Sequence, residues 1–137
     1  NDCPGMKLPG IDLSGKDLTG SKLVDVDLSG KDLTGTIFTG ADLSGVNLAN
    51  AILVNANLEN ATLENAKLLD TNLDSANLTN TDLRFALLVD ANLSNAILIG
   101  ADLTNAVLTG AILTGSDLED AVLTNAILNC VGHPICV

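Results

Sequence analysis

The sequence predicts an all-β solenoid, a chain that coils about one axis and stacks its coils in parallel register. Two observations predict this fold. A large apolar residue recurs at every fifth position from Leu8 to Leu128, and a turn-forming residue stands two positions after nearly all of them. Because neither regular element has a period of five, the chain must turn once in each five-residue unit.

The five-residue period runs without insertion or deletion. All 25 positions from Leu8 to Leu128 hold leucine except Phe38. On an α-helix five residues advance by about 500°, so successive leucines would lie roughly 140° apart and form no stripe. On a flat strand an odd spacing sends successive leucines to opposite faces. Only a chain that turns in every unit brings all of them to one interior.

The other positions of the unit supply the turn and complete the core. Two residues before the leucine, alanine occurs at 14 of the 25 positions. Two residues after it stand ten glycines, eight asparagines and four aspartates. These three residue types tolerate a positive φ in tight turns. We therefore expect the leucine and the small residue before it to face inward, and the other three positions to face outward.

The unit A-(D/N)-L-(S/T/x)-(G/N) resembles the pentapeptide repeat family, and the resemblance covers residues 6–130. It implies a right-handed quadrilateral parallel β-helix of about six coils, in a single domain spanning 1–137. Residues 131–137 would form a short C-terminal capping loop. Pairs spaced by twenty, such as Leu87 with Val107 and Asp82 with Asp102, agree with four sides. Coincidences at a spacing of fifteen leave the number of sides open.

Three of the departures from the repeat are Lys16, Lys31 and Phe85. Lys16 and Lys31 occupy inward positions, where an unpaired ammonium group is costly. We expect their amines to reach solvent along the corners and the first two coils to be irregular. Phe85 takes a corner position where glycine or asparagine is usual. It marks either a different local turn, which we favour, or an exposed anchor for a partner.

The three cysteines predict one disulfide. Cys3 belongs to the opposite end of the solenoid from Cys130 and Cys136, too far for the Cα separation of about 7 Å or less that a disulfide needs. We expect a Cys130–Cys136 bridge that caps the last coil, an unpaired Cys3 and an oxidising compartment. His133 lies between the paired cysteines, but two cysteines and one histidine leave a zinc site incomplete. We therefore expect no metal.

Composition and motifs argue against catalysis and several ligand classes. No nucleophile is placed with a base, and no phosphate-binding motif is present, so we expect no catalytic or cofactor-binding residue. The net charge is −11 with six basic residues, which disfavours direct nucleic-acid binding. No apolar run reaches the length of about 18 residues that a membrane span needs, so we expect no membrane insertion.

An outward apolar strip is the candidate partner surface. With four pentapeptides per coil, one wall gathers aliphatic residues that the core does not require. These residues, called the apolar strip below, are Leu69, Leu87, Val89, Val107 and Ile127. The strip leads us to expect an unidentified protein partner, with a weak homodimer as one alternative.

The resemblance implies two functions. Some family members of cyanobacteria and plastids are exported to the thylakoid lumen or periplasm, with largely undefined molecular roles. A non-catalytic interaction protein of that type is our first expectation, with a signal peptide removed ahead of Asn1. Other members are acidic DNA mimics that bind DNA gyrase or topoisomerase, and the net charge of −11 suits them. Those relatives often carry phenylalanine at the central position, where this chain has only Phe38.

Overall fold

The computed structural model describes residues 10–136, which coil into a solenoid. Within this range there is no helix and no extended strand, because single residues pair in parallel between successive coils. The bridges run from Asp17 with Ile37 to Ile112 with Val131. All but the last join residues twenty positions apart, so each coil takes four pentapeptides.

A tight turn at each corner sets the path of the chain. The non-glycine corner residues have φ between 54° and 60°, and the corner glycines are also positive. The amide after the corner donates to the carbonyl of the preceding central residue, as from Ala41 to Phe38 at 2.9 Å. A positive φ at the third residue alone is the mark of a type II turn. Because this turn interrupts the pairing every five residues, each side contributes one bridge and no strand extends.

The remaining amides of the unit bond to the neighbouring coils or to a side chain. The amide of Leu53 donates to the carbonyl of Asn72 at 2.7 Å, and the amide of Asn55 donates to that of Asp74 at 3.1 Å. The amide of Asn72 donates back to Ala51 at 2.9 Å. The amide of Asp74 donates to the side-chain oxygen of Asn72 at 3.1 Å. The frequent Asp or Asn before the leucine therefore accepts a hydrogen bond from the amide after the leucine, which has no backbone partner in the described neighbouring coils.

Leucine and alanine fill the interior, which confirms the predicted inward positions. Leu73, Leu78 and Ala76 are each 1% exposed or less, and Phe38 is fully enclosed. Each buried leucine contributes about 1.5–3 kcal/mol of gross apolar transfer free energy. Threonines at the alanine position are also enclosed, and Thr81 Oγ1 donates to the backbone carbonyl of the preceding coil. The hydroxyl groups of these threonines are therefore hydrogen-bonded within the core.

From Asp17 onward the early coils are regular, so the expectation of irregular early coils is wrong for this part of the chain, while residues 6–9 of the first coil lie outside the described residues. Gly10 and Gly15 have the positive φ of the later corners, and Asp17 pairs with Ile37 in the usual register. Lys16 is exposed and Lys31 is half-buried, so neither lysine is fully enclosed in the core. The turn depends on the corner residue and on backbone hydrogen bonds, which a lysine at the inward position leaves intact.

The C-terminal end contains the predicted disulfide. Cys130 and Cys136 are bonded, with their Cα atoms 4.9 Å apart. Val131 pairs with Ile112, and Cys130 is therefore shifted into the inward position above Ala111. Cys130 is 9% exposed, as its place in the core requires. Cys3 lies outside the described residues.

Candidate interaction surface

The structure places all five residues of the apolar strip on one wall. Successive bridges join Leu87 to Val107 and Val107 to Ile127, so these three side chains form one column. Leu69 and Val89 follow the central leucines of two successive coils, whereas Leu87 and the rest of the first column precede theirs. Leu69 and Val89 therefore form a second column on the same wall, parallel to the first. The column of three continues downward to Lys67, which pairs with Leu87.

The strip is open to solvent and free of carboxylates in its two columns. Leu87 is 38% exposed and Ile127 is 49% exposed, whereas the other three residues are half-buried. Above Lys67 the two columns contain only aliphatic residues, Thr109 and Asn129. Contiguous exposed apolar residues on a wall often mark a contact surface. The core pattern requires none of them, because their side chains point away from the interior.

Phe85 lies at the corner beside this wall, two residues before Leu87. Its φ is 60°, the same as at the asparagine corners, so the favoured expectation of a different local turn is wrong. The backbone of the repeat forces this conformation on a bulky residue that rarely adopts it. The ring is 47% exposed and lies next to the strip in the sequence. An exposed aromatic side chain thus borders the apolar wall.

The neighbouring wall carries carboxylates that are engaged in hydrogen bonds. Arg84 contacts Asp82 at 2.6 Å and Glu64 at 3.3 Å. The hydrogen bond from Arg84 is the main cause that lowers the pKa of Asp82. Asp102 pairs with Asp82 in the next coil and accepts from the amide and hydroxyl of Thr104 at 2.9 and 2.6 Å. On this polar wall the carboxylates therefore accept hydrogen bonds from turn residues or pair with Arg84.

The histidine and both cysteines of the terminal loop are engaged in contacts within the loop. His133 Nδ1 accepts a hydrogen bond from the amide of Ile135 at 3.3 Å, and the flanking cysteines are both in the disulfide. Within residues 10–136 no group of three His, Cys, Asp or Glu side chains converges on one point. The same range contains no helix long and apolar enough to cross a membrane.

Comparisons with known proteins agree with the repeat. The family model of pentapeptide repeats matches eight copies, over residues 5–40, 41–80, 76–115 and 101–131. No curated protein matches the chain. The chain is 34% identical to the pentapeptide repeat protein Rfr23 from the cyanobacterium Cyanothece 51142, covering 88% of this chain and 90% of that one, with a TM-score of 0.69.

Two further solved structures match the chain at lower similarity. HetL from the cyanobacterium Nostoc sp. strain PCC 7120, involved in heterocyst differentiation regulation, is 27% identical over 90% of this chain and 85% of that one, with a TM-score of 0.51. Full-length QnrB1, a plasmid-mediated fluoroquinolone resistance protein, is 20% identical over 83% of this chain and 84% of that one, with a TM-score of 0.36. The solved neighbours imply a right-handed β-helix solenoid. The chain belongs to the pentapeptide repeat family.

Proposed function

We propose that this chain is a non-catalytic protein-binding solenoid and that the apolar strip is its binding surface. The observation that carries the proposal is the outward-facing column of Leu87, Val107 and Ile127, which the core does not need. Pentapeptide repeat proteins are in general non-enzymatic solenoids, and a structural or interaction role fits that background. The whole chain would act as one rod of about six coils.

The proposed compartment is an oxidising one, the thylakoid lumen or the periplasm. The Cys130–Cys136 disulfide supports it, since such bonds persist mainly in oxidising spaces. Quantification of the disulfide in protein isolated from its native source, with thiols blocked at lysis, tests this part. A fully reduced pair would rule out the oxidising compartment.

The test of the binding surface compares two matched double variants. V89D/V107D puts two charges on the apolar strip, whereas I97D/I99D puts two charges at outward positions of another wall. Each protein is used to capture partners from an extract of the native compartment. We expect I97D/I99D to keep the wild-type set of captured proteins and V89D/V107D to lose it. Equal capture by the two variants would remove the strip as the binding surface.

Acidic DNA mimicry is the second candidate, with gyrase or topoisomerase as the target. The net charge of −11 favours it, although Arg84 interrupts the carboxylates of Glu64 and Asp82. A supercoiling assay with purified gyrase tests this candidate directly. Inhibition at low micromolar protein would support it, and full supercoiling at every concentration of the protein would exclude it.

A further inference from the structure

We propose that the occupant of the apolar strip is a second copy of this chain, related by a two-fold axis parallel to the solenoid axis. This inference rests on the proposed function, because it names the partner of the same surface. In a two-fold pair the same patch on each copy contacts itself, so every contact occurs twice. The wall must therefore complement its own image.

A two-fold axis parallel to the solenoid keeps the coils level and exchanges the two outward columns. The column of Leu87 and Val107 then faces the column of Val89 and Thr109 on the second copy. Leu87 of each copy meets Val89 of the other in the same layer. The apolar residues are covered on both molecules, and the two columns above Lys67 contain no carboxylate; Asp90, at the exposed corner one coil above Asp70, lies at the edge of the contact beside Leu87 of the other copy.

The charges at the lower end of the strip complement one another in this arrangement. Lys67 stands in the first column, and Asp70 stands at the far corner of the same pentapeptide. Exchange of the columns brings Lys67 of each copy toward Leu69 and Asp70 of the other, which makes two equivalent ion pairs. Both residues are exposed, and neither has a side-chain ion pair within residues 10–136. Such pairs set the register of an interface more than its affinity.

An antiparallel arrangement lacks this match. Consider two copies that run in opposite directions, related by a two-fold axis that passes between the layers of Leu87 and Val107. Each column then faces the same column of the other copy in reverse order, so Lys67 of one copy faces Ile127 of the other. A lysine would then be desolvated against an aliphatic side chain without a partner, which is unfavourable. The parallel arrangement places the same lysine beside a carboxylate.

The contact is small, so the association should be weak. Four layers from Lys67 to Ile127 extend over about 15 Å at the spacing of stacked strands. Stable complexes bury about 800 Å² on each partner, and smaller interfaces are transient. We expect a dissociation constant above about 1 μM, with tighter association at low salt because the ion pairs are exposed.

Sedimentation equilibrium of the wild type and charge variants tests the arrangement. K67E and D70K each place like charges against one another and should raise the dissociation constant at least tenfold at low salt. K67E/D70K restores opposite charges in reversed order. Its dissociation constant should therefore return to within about threefold of the wild-type value. Circular dichroism and melting establish that each variant is folded. D70N, which keeps a residue suited to the positive φ, should weaken the dimer and reduce its salt dependence.

K22E is the matched control, since it reverses an exposed lysine on another wall and should leave the dimer unchanged. A wild type that remains monomeric at millimolar concentration overturns the inference. If V89D/V107D disrupts the dimer but K67E/D70K does not recover the affinity lost in K67E and in D70K, the parallel register is wrong. If the wild type is monomeric while V89D/V107D still loses captured proteins, only the dimer fails and the proposed function stands. If V89D/V107D leaves both a dimer and protein capture intact, the dimer at this strip and the proposed surface fail together.

Discussion

Val131 pairs with Ile112, nineteen positions earlier, whereas every other bridge in the described range joins residues twenty positions apart. One residue is therefore missing from the last corner, and Cys130 takes the inward place of the usual alanine. The amide of Gly110 still bonds to Asn129 and that of Leu113 to Val131, at 2.7 and 2.8 Å. The shortened corner thus stays paired with the coil below while it brings Cys130 within reach of Cys136.

Removal of the disulfide should loosen the last coil selectively. C136S should lower the free energy of unfolding by about 2 kcal/mol, the value expected for closing so short a loop. Because the stability of a solenoid is nearly a sum over neighbouring coils, the loss should concentrate between Leu113 and Val131. Hydrogen exchange measured by mass spectrometry should show faster exchange there and little change around Leu73.

Thiol titration provides the control for the disulfide. The wild type, denatured without reductant, should show one free thiol, from Cys3, and C136S should show two. Three free thiols in the wild type would mean that the bridge does not form. A uniform increase in exchange along the whole chain would contradict the local role of the cap.

An inward-facing leucine and an outward-facing leucine should differ sharply in their contribution to the free energy of unfolding. Leu73 is 1% exposed and Leu87 is 38% exposed. L73A should lower the free energy of unfolding by about 2–5 kcal/mol, the cost of a large-to-small change in a core. L87A, the matched outward change, should cost less than about 1 kcal/mol. Urea unfolding monitored by circular dichroism measures both, and equal losses would contradict the inward placement of the central leucines.

Replacement of Phe85 should stabilise the protein. Its φ of 60° costs an ordinary residue about 1–2 kcal/mol, whereas asparagine adopts this region readily. F85N should therefore raise the free energy of unfolding by about 1 kcal/mol. The reverse change at the next coil, N105F, should lower it by a similar amount, because Asn105 also has φ 60°. If F85N were destabilising, the ring would contribute packing that outweighs the backbone strain.

Acid should weaken the fold through the aspartates of its turns. Asp17 accepts hydrogen bonds from the hydroxyl and the amide of Thr19, and the former is the main cause that lowers its pKa. A carboxyl whose folded pKa lies below the unfolded value stabilises the fold above the unfolded pKa. That contribution is lost as the pH falls through the folded pKa. Stability should accordingly decrease below about pH 4, the ordinary value for aspartate.

D17N should reduce this pH dependence, because an amide oxygen can accept the same two bonds. Asn77 already does so from the amide and hydroxyl of Thr79 at 3.1 and 2.6 Å. The reverse variant N77D should make the dependence steeper. Melting temperatures of the three proteins between pH 2.5 and pH 7 provide the measurement. Parallel curves would mean that these turns do not link stability to pH.

Local chemistry within each five-residue unit determined most of the fold. The period of leucine and the residues able to adopt a positive φ act within one turn, so they could be interpreted without knowing what lies in the next coil. The cysteine pairing followed for a similar reason, since Cys130 and Cys136 are close in sequence. The role of Asp or Asn before the leucine was missed, although its frequency in that position was visible in the sequence.

Contacts between coils decided the rest. The choice between fifteen and twenty residues per coil depends on hydrogen bonds such as that from Leu53 to Asn72, and it alone determines that Leu87, Val107 and Ile127 are neighbours. The conformation of Phe85 was imposed by the backbone pairing of its coil against the preference of its side chain. The shift at Val131 likewise arises where the last coil meets the one below. A repeat specifies its own turn, but only stacking specifies which outward residues share a wall.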